Sequence, residues 1–344
     1  MLWLIAAILL LEILMFFPGW VETIYSTGIY PWWSKFLRVL FGWIPFSIGD
    51  IVLYGGGICL VLVLIRRFIK ERWRSLVWLL KISLFLYLLF QLSWGLNYHR
   101  QGLAKQLDLE VKPYTAEELR MLTNTLHAKL WTYSADPQML KQQWQKSRAE
   151  LYTNVEDAWK MTQQKYTWME VSPLSIKPHL FGKWQGYLGY VGYINPFTGE
   201  AQVNFHVPAY SLPFTMVHEM AHQAGYGNER EANFAAWLVA RESSSAQLKY
   251  SAYLSLFNYA VFEFSRSDTA SARILYDSVP LIVKENRQEM ADFLKKYESP
   301  LQPVLDRTYA FYLRSNKQPE GLASYNRVNA WLIAFARKNS WEAL

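Results

Sequence analysis

The chain has 344 residues, of which 52% are hydrophobic and only 18% are charged, and it contains a single cysteine, Cys59. This composition excludes an intrinsically disordered or collagen-like chain, and one cysteine excludes an intramolecular disulfide framework. The net charge is +7, but residues 1–100, the most hydrophobic part, hold nine Lys or Arg against four Asp or Glu. We therefore exclude a nucleic-acid-binding domain, since that class clusters its basic residues on a polar surface.

Three apolar stretches in the first hundred residues are long enough, or nearly so, to cross a bilayer, which takes about 20 mostly apolar residues. They cover residues 2–17, 46–65 and 76–97, and their single charges are Glu12, Asp50 and Lys81. Lysine near a span end can reach the headgroups, whereas the two acidic residues have no such explanation. We expect three membrane-spanning helices. The first is expected to be an uncleaved anchor, because it lacks the basic start and the small-residue cleavage site of a signal peptide.

The segment between the first two stretches, PWWSKFLRVLFGWIPF (residues 31–46), is rich in Trp and Phe and carries two basic residues. This pattern is typical of a helix that lies in the membrane interface and is held there by aromatic anchors. A hairpin buried against the spans is the alternative interpretation.

The link between the second and third stretches, RRFIKERWR (residues 66–74), carries five basic residues and one acidic residue. By the positive-inside rule this link is cytoplasmic. Three spans then place the N-terminus in the cytoplasm and everything after Tyr98 outside it. We therefore expect a multi-pass protein of the cell membrane, with a membrane domain over residues 1–98 and an extracytoplasmic domain over residues 99–344.

Beyond residue 100 the sequence predicts an α+β domain that is mainly helical. Thr115 and Glu118 form a capping-box pattern at the start of one helix, and a second helix is predicted over residues 137–164. Residues 186–207 are rich in Gly and Tyr with alternating Val and Phe, which predicts two or three short strands. Further helices are predicted over residues 213–223, from 228 past 238, and over most of 246–338.

Residues 218–222, HEMAH, form an HExxH motif within one of these helices. His218 and His222 are four positions apart and share one helix face, so both imidazoles can bind one metal ion. Glu219 can then act as general base toward a water that the metal activates. The residues on both sides are apolar or small, which disfavours the alternative of a solvated surface helix. The motif therefore predicts a zinc site.

A catalytic zinc usually has three protein ligands and one position open for water, so a third ligand is expected nearby. Two glycines after the motif turn the chain back, and the next helix begins near Glu229. We predict Glu229 as the third ligand and Asn233, on the same helix face, as a polar partner of the ligands. Glu231, on another face, is the alternative ligand. His206, on a predicted strand, is a weaker candidate because the ligand count is already met.

The HExxH motif followed by a short turn and EREANFAAWL resembles the pattern of the gluzincin metallopeptidases, especially the ImmA/IrrE-type branch. This resemblance implies that Glu229 binds the zinc and that Asn233 is its companion polar residue. The metzincin pattern is disfavoured, because Asn228 stands where that pattern has its third histidine. The longer string PFTGEAQVN…LPFTMVHEMAHQAGYGNEREANFAAWL, with SWGLNYHR after the third stretch, resembles a family of bacterial membrane proteins named only as domain of unknown function 3810.

Peptide hydrolysis also needs a donor for the developing oxyanion. Tyr325 lies in GLASYNRV, which resembles the family's recurring Ser-Tyr element, and we propose it for this role; a tyrosine of the core or rim is the alternative. The strand over residues 201–205 is expected to offer a sheet edge to an extended peptide.

These patterns together predict a membrane-anchored zinc metallopeptidase with one Zn²⁺ per chain and a zincin-like domain after three membrane helices. Its expected partners are the lipid bilayer and a peptide or protein substrate at the membrane surface. The competing class is a non-catalytic membrane protein whose zinc is structural, which would be closed by four protein ligands. A transporter or channel is disfavoured, because the spans contain few charges.

Overall fold

The computed structural model describes the backbone of all 344 residues and every side chain except those of Leu322 and Asn326. The chain is mainly helical and contains a three-stranded sheet. The N-terminal region contains α1 (Leu2–Leu14), α2 (Pro18–Phe41), α3 (Ile48–Glu71) and α4 (Trp73–Ser93). The remainder contains α5 (Ala116–Tyr133), α6 (Pro137–Gln143), α7 (Arg148–Lys165), β1 (Ile176–Pro178), α8 (Gly182–Leu188), β2 (Gly192–Ile194), β3 (Ala201–Val203), α9 (Leu212–Gln223), α10 (Glu229–Glu242), α11 (Ala246–Phe264), α12 (Thr269–Asp277), α13 (Leu281–Lys296), α14 (Gln302–Ser315) and α15 (Val328–Asn339).

Two helices, α3 and α4, are each long and apolar enough to cross a membrane. The helix α1 passes this test only together with α2, and the two are bent by 98° at the break between them. Proline ends a helix because it has no amide proton and clashes with the preceding turn, and Pro18 begins α2. The 13 residues of α1 rise about 20 Å, less than the ~30 Å of a bilayer core. The chain therefore has two candidate spans, or three if the bent pair is counted as one.

The helix α2 separates its residues into a polar buried face and an aromatic exposed face. Ser34 and Arg38 are buried, and the Arg38 Nε donates a hydrogen bond to the Pro173 carbonyl at 2.5 Å. Trp32 and Phe36 are exposed. The helix therefore presents Ser34 and Arg38 to the protein and aromatic side chains to the outside, and its place in the membrane interface stays a prediction.

The two acidic residues without an explanation from sequence both have partners. Tyr87 of α4 donates a hydrogen bond to the carboxylate of Glu12. Asp50 is fully buried at the start of α3, where it accepts hydrogen bonds from the Leu180 amide at 2.7 Å and from the Tyr193 hydroxyl at 2.5 Å. Asp50 therefore joins the first turn of α3 to the sheet.

The capping box predicted at the start of α5 is confirmed, since Thr115 and Glu118 each accept from the other's backbone amide. The single helix predicted over residues 137–164 is wrong: the chain breaks after α6, and a second capping box, Ser147 with Glu150, starts α7. A capping box satisfies two amides at once, which makes a new helix start favourable at that serine.

The sheet has the order β1-β3-β2, with β3 parallel to β1 and antiparallel to β2. The expectation that the strand from residue 201 offers a free edge is therefore wrong, because β3 is paired on both sides. The strand β2 lies at one edge of the sheet, beside the HExxH helix. The strands predicted from residue 186 onward begin later than expected, because residues 182–188 form the helix α8. The core of this region is built around α9, which packs on α10, α11 and the sheet.

Candidate metal centre

The helices α9 and α10 bring the predicted ligands together. The helix α9 begins with Pro213 in its first turn, and it ends before Gly225, whose φ of +83° favours glycine. Asn228 then precedes α10, so that Glu229 is its first residue. Buried alanines on α10 let the two helices approach closely. The turn therefore places Glu229 opposite the histidine face of α9.

Three ligand atoms converge at this place. The Nε2 atoms of His218 and His222 lie 3.1 Å apart, and the Glu229 Oε2 lies 3.1 Å from the first and 3.6 Å from the second. Atoms bound about 2.0–2.2 Å from one tetrahedral metal ion lie about 3.3–3.6 Å apart. The observed separations fit a single metal ion. Among the described side chains, this buried trio is the one group that can hold a metal.

The other ring nitrogens are held so that Nε2 faces the metal position. His218 Nδ1 lies 2.8 Å from Asn233 Oδ1, and the Asn233 amide nitrogen donates to the Tyr325 carbonyl, which fixes the oxygen toward the histidine. His222 Nδ1 donates to the Tyr226 carbonyl at 2.7 Å. Both Nδ1 atoms are therefore protonated, and both Nε2 lone pairs remain free to bind a metal.

The charge state of the trio favours a cation. Burial would raise the pKa of Glu229, but its hydrogen bonds to both imidazoles hold it well below its usual range. Burial would lower the pKa of His222, but the hydrogen bond and the charge of Glu229 raise it to about 9. A carboxylate and two lone pairs at this distance need a positive charge between them, which a proton or a metal ion can supply.

Glu219 is buried beside the trio but does not belong to it. Its Oε2 has no hydrogen-bond partner among the described side chains and backbone, and burial raises the pKa of this carboxyl to about 7. Gly192 of β2 lies against it, since a Cβ there would come within 2.5 Å of the Glu219 Oε1. The carboxyl group is therefore free to bind or release a proton at the metal position.

Two tyrosines, Tyr325 and Tyr309, lie beside the ligand trio. The ring of Tyr325 stacks on that of His218 with centroids 6.2 Å apart, and its hydroxyl lies 3.1 Å from that of Tyr309, which donates to the Glu229 Oε1 at 3.2 Å. Burial and the charge of Glu229 raise the pKa of both hydroxyls well above its usual value. Both therefore stay protonated and can donate hydrogen bonds. Tyr309, on α14, has no sequence signal among the 22 tyrosines of the chain.

The other two candidates lie elsewhere. Glu231 is buried and accepts hydrogen bonds from the Leu103 amide at 2.8 Å and from Asn228 at 3.3 Å, so that it holds backbone instead of facing the histidines. His206 is exposed after β3 and lies outside the trio. Of the two alternatives for the third ligand, the structure brings Glu229 to the site.

The N-terminal region completes the end of the HExxH helix. Trp94 Nε1 donates to the His222 carbonyl at 3.0 Å, and the Tyr30 hydroxyl donates to the Gln223 carbonyl at 2.9 Å. The last carbonyls of a helix have no partner within it: Tyr30 supplies one to Gln223, and Trp94 adds a second donor to the His222 carbonyl, which also accepts from the Gly225 amide. Sequence reasoning missed both residues. The only signal was the resemblance of the segment SWGLNYHR, which contains Trp94.

The turn between α9 and α10 is also held by residues of the N-terminal region and the segment after α4. Arg100 donates to the Gly225 carbonyl at 3.1 Å, lies over the Tyr226 ring and pairs with Glu22 at 2.7 Å. These contacts cross the predicted domain boundary between residues 98 and 99. The position of Glu229 relative to the two histidines thus depends on α2 and on the segment after α4.

A cleft passes over the metal position and has two lobes that meet at His218 and Glu219. The outer lobe, of about 350 Å³, is lined by Ser211, Thr215, Ser255, Met290 and Asp306, among others. The span lobe, of about 440 Å³, is lined by the edge strand β2 and by Leu53, Tyr54, Phe90, Trp94 and Tyr312. A substrate in this cleft would lie between the metal position and β2.

Comparison with known proteins identifies the family. The family model described as protein of unknown function (DUF3810) matches residues 25–333, a range that includes both candidate spans, the sheet and the whole metal centre. Comparison with the curated proteins and with the solved structures yields no match. The chain therefore belongs to the DUF3810 family.

Proposed function

We propose that the chain is a membrane-anchored zinc metallopeptidase, a hydrolase with a gluzincin-type site, and that it cleaves peptide bonds. The observation that carries this proposal is the convergence of His218, His222 and Glu229 on one point, with the unpartnered carboxyl group of Glu219 beside it. Two imidazoles and one carboxylate form a donor set that zinc prefers. The HExxH helix resembles that of zincin-like peptidases, which supports the same conclusion.

The proposed chemistry assigns a role to each side chain. When bound, zinc lowers the pKa of a water molecule and polarises the substrate carbonyl. Glu219 takes the proton of the attacking water and passes it to the leaving amine. Tyr325 donates a hydrogen bond to the oxyanion that develops on the substrate, and Tyr309 holds the Glu229 carboxylate through the hydrogen bond that it donates to Oε1. The free edge of β2 pairs with the substrate backbone and holds it extended.

The alternative is a structural zinc in a scaffold protein. A structural zinc is normally closed by four protein ligands. The described side chains supply three at this place; the span lobe reaches all three, and the outer lobe reaches His218. An open ligand position next to a cavity favours catalysis.

Removal of the metal tests the proposal. We expect the purified full chain to contain about one zinc ion, since three donors of this type bind zinc tightly. Chelation with 1,10-phenanthroline should abolish cleavage of a quenched fluorescent peptide library, and added Zn²⁺ should restore it. The measurements are elemental analysis and fluorescence. Zinc that is retained while no peptide is cut would support the structural alternative instead.

We also propose that the metal centre lies outside the cytoplasm. The helix α4 separates the basic link from the segment that contacts His222, so these two places lie on opposite sides of the membrane if α4 spans it. The positive-inside rule then puts the link in the cytoplasm. This argument does not depend on whether α1 crosses the membrane.

Thiol labelling tests this orientation, because the chain has one cysteine, Cys59, which can be replaced by serine. In that background, an impermeant thiol reagent added to intact cells should label Arg273→Cys, at an exposed position of α12, and should not label Arg74→Cys in the link. Permeabilised cells, in which both should react, are the control. The reverse labelling pattern would place the metal centre in the cytoplasm.

A further inference from the structure

We propose that the substrate is a membrane-inserted polypeptide, and that its scissile bond reaches the metal centre from the bilayer through the span lobe. This inference rests on the proposed peptidase function. It specifies the class of substrate and its route to the metal centre, neither of which follows from the positions of the three ligands.

Part of the wall of the span lobe belongs to the candidate membrane spans. Leu53 and Tyr54 come from the second turn of α3, and Phe90 comes from the last turn of α4. The carboxylates and imidazoles that line this lobe are all those of the metal centre, and its other side chains are apolar, aromatic or neutral. A neutral, aromatic wall beside the catalytic groups suits apolar substrate side chains near the scissile bond.

The two spans have different partners at the end next to the metal centre. The link joins them at one end, and the two helices pack on each other. At the other end, α3 is held by the sheet, where the Gly49 amide donates to Glu200 at 2.6 Å and the Asn195 side chain donates to the Gly49 carbonyl at 2.9 Å. The end of α4 is held by α9 and α14, through Trp94 on the His222 carbonyl and Phe90 against Tyr312. The span lobe lies between these two attachments.

The surface of α3 is open in the turn that follows the lobe residues Leu53 and Tyr54. A Cβ added at Gly55, Gly56 or Gly57 would meet nothing within 4 Å. These glycines follow directly after Leu53 and Tyr54, at the level where the lobe begins. Small residues let another helix approach closely within a membrane. An inserted substrate helix can therefore pack on α3 while its extended end lies in the lobe.

The elements beside the span lobe expose aromatic and aliphatic side chains among basic ones. On one side, the exposed Trp184 lies on α8, and Phe181 just before α8 packs edge-on against Tyr54 with ring centroids 5.2 Å apart. On the other side, α14 exposes Val304 and Phe311 together with the basic residues Arg307 and Arg314. Exposed aromatic and aliphatic groups beside membrane spans are typical of a surface in contact with the lipid interface. Aromatic and basic side chains together are typical of the membrane interface, which favours a lobe entrance at that level.

The edge strand β2 indicates that the substrate is a polypeptide. The antiparallel pairing of β2 with β3 leaves the other edge of β2 unpaired within the sheet, and this strand lines the span lobe. Backbone groups on such an edge bind an extended chain by adding a strand. A substrate that is helical in the membrane can pack on α3, and its extended segment just outside the membrane can pair with the edge of β2.

Photo-crosslinking tests the route without any turnover. The full chain carrying Glu219→Gln is reconstituted in phosphatidylcholine vesicles with a peptide that has an apolar helix of about 20 residues, which is enough to span. A benzophenone stands in the extended segment after the helix, and the adducts are mapped by mass spectrometry. We expect adducts on Leu53, Tyr54 and Phe90. Adducts confined to the outer lobe, at residues such as Met290, or no saturable adduct at all, would overturn the inference.

Cleavage of matched peptides separates this inference from the proposed function. The probes are quenched peptides with the same extended segment, with and without the apolar helix. We expect wild-type protein to prefer the inserted peptide by about tenfold or more, because confinement raises its effective concentration. Leu53→Trp, which fills the lobe, should remove this preference, whereas Leu62→Trp, at an exposed position further along α3, should keep it.

Equal cleavage of both peptides would overturn the route but leave the peptidase intact. Adducts in the span lobe without zinc-dependent cleavage would overturn the peptidase but leave the route intact.

Discussion

Replacement of Glu219 by glutamine is expected to leave the metal in place and to lower peptide hydrolysis by 10²-fold or more, the usual size of a general-base contribution. Glu219 is not part of the trio that fits a metal ion, so its loss removes no ligand. Glutamine has the same shape and fits beside Gly192, but its amide cannot accept the proton of the attacking water. Zinc content by elemental analysis and cleavage of the quenched peptides are both measured.

The control for this variant is Glu289→Gln, which makes the same chemical change at an exposed position on α13. It should keep both zinc and activity. Unchanged hydrolysis in Glu219→Gln would contradict the general-base role and favour the scaffold alternative. Loss of zinc in this variant would show that Glu219 helps to hold the metal, which contradicts its place outside the ligand trio.

Loss of any one of the three ligands is expected to remove zinc. His218→Ala, His222→Ala and Glu229→Ala each leave two donors, too few to hold the ion against dialysis. We expect the zinc affinity to fall by more than the 10–100-fold that is usual when a residue orienting a ligand is lost. Asn233→Ala, which removes the partner of His218 Nδ1, should show that smaller loss. Competition with a chelator of known affinity measures the whole series.

Glu231→Ala is the matched control, because it removes a buried carboxylate from the same turn of α10. It should keep zinc but lower the free energy of unfolding by about 1–3 kcal/mol, since the Leu103 amide loses its buried acceptor. Thermal unfolding followed by circular dichroism measures this change. If Glu231→Ala loses zinc while Glu229→Ala keeps it, the third ligand is Glu231.

The end of α9 shows why part of the site has no sequence signal. Trp94 and Tyr30 lie more than 120 residues before the carbonyls that they contact. A hydrogen bond to a backbone carbonyl requires only a donor at the right place, so it imposes no spacing and no motif on the sequence. The same holds for Tyr309, which reaches Glu229 from a helix 80 residues further along the chain.

Local patterns determined several features by themselves. The four-residue spacing of His218 and His222 puts both rings on one helix face wherever that helix lies, and Thr115 with Glu118 caps a helix through contacts three residues apart. The apolar length of α3 and α4 and the basic residues of their link indicate membrane spans by composition alone. Each of these features depends only on one continuous stretch of the chain, so the sequence contains all the information that they need.

Only the tertiary structure decided which side chains meet. It packed the first turn of α10 on α9 so that Glu229 meets the histidines, whereas Glu231, on another face of the same helix, meets the Leu103 amide. It bent the chain by 98° before α2, and it placed β3 in the centre of the sheet and left β2 at the edge. It also put the ends of α3 and α4 beside the metal centre. These outcomes are set by contacts between segments far apart in the chain, for which local spacing has no rule.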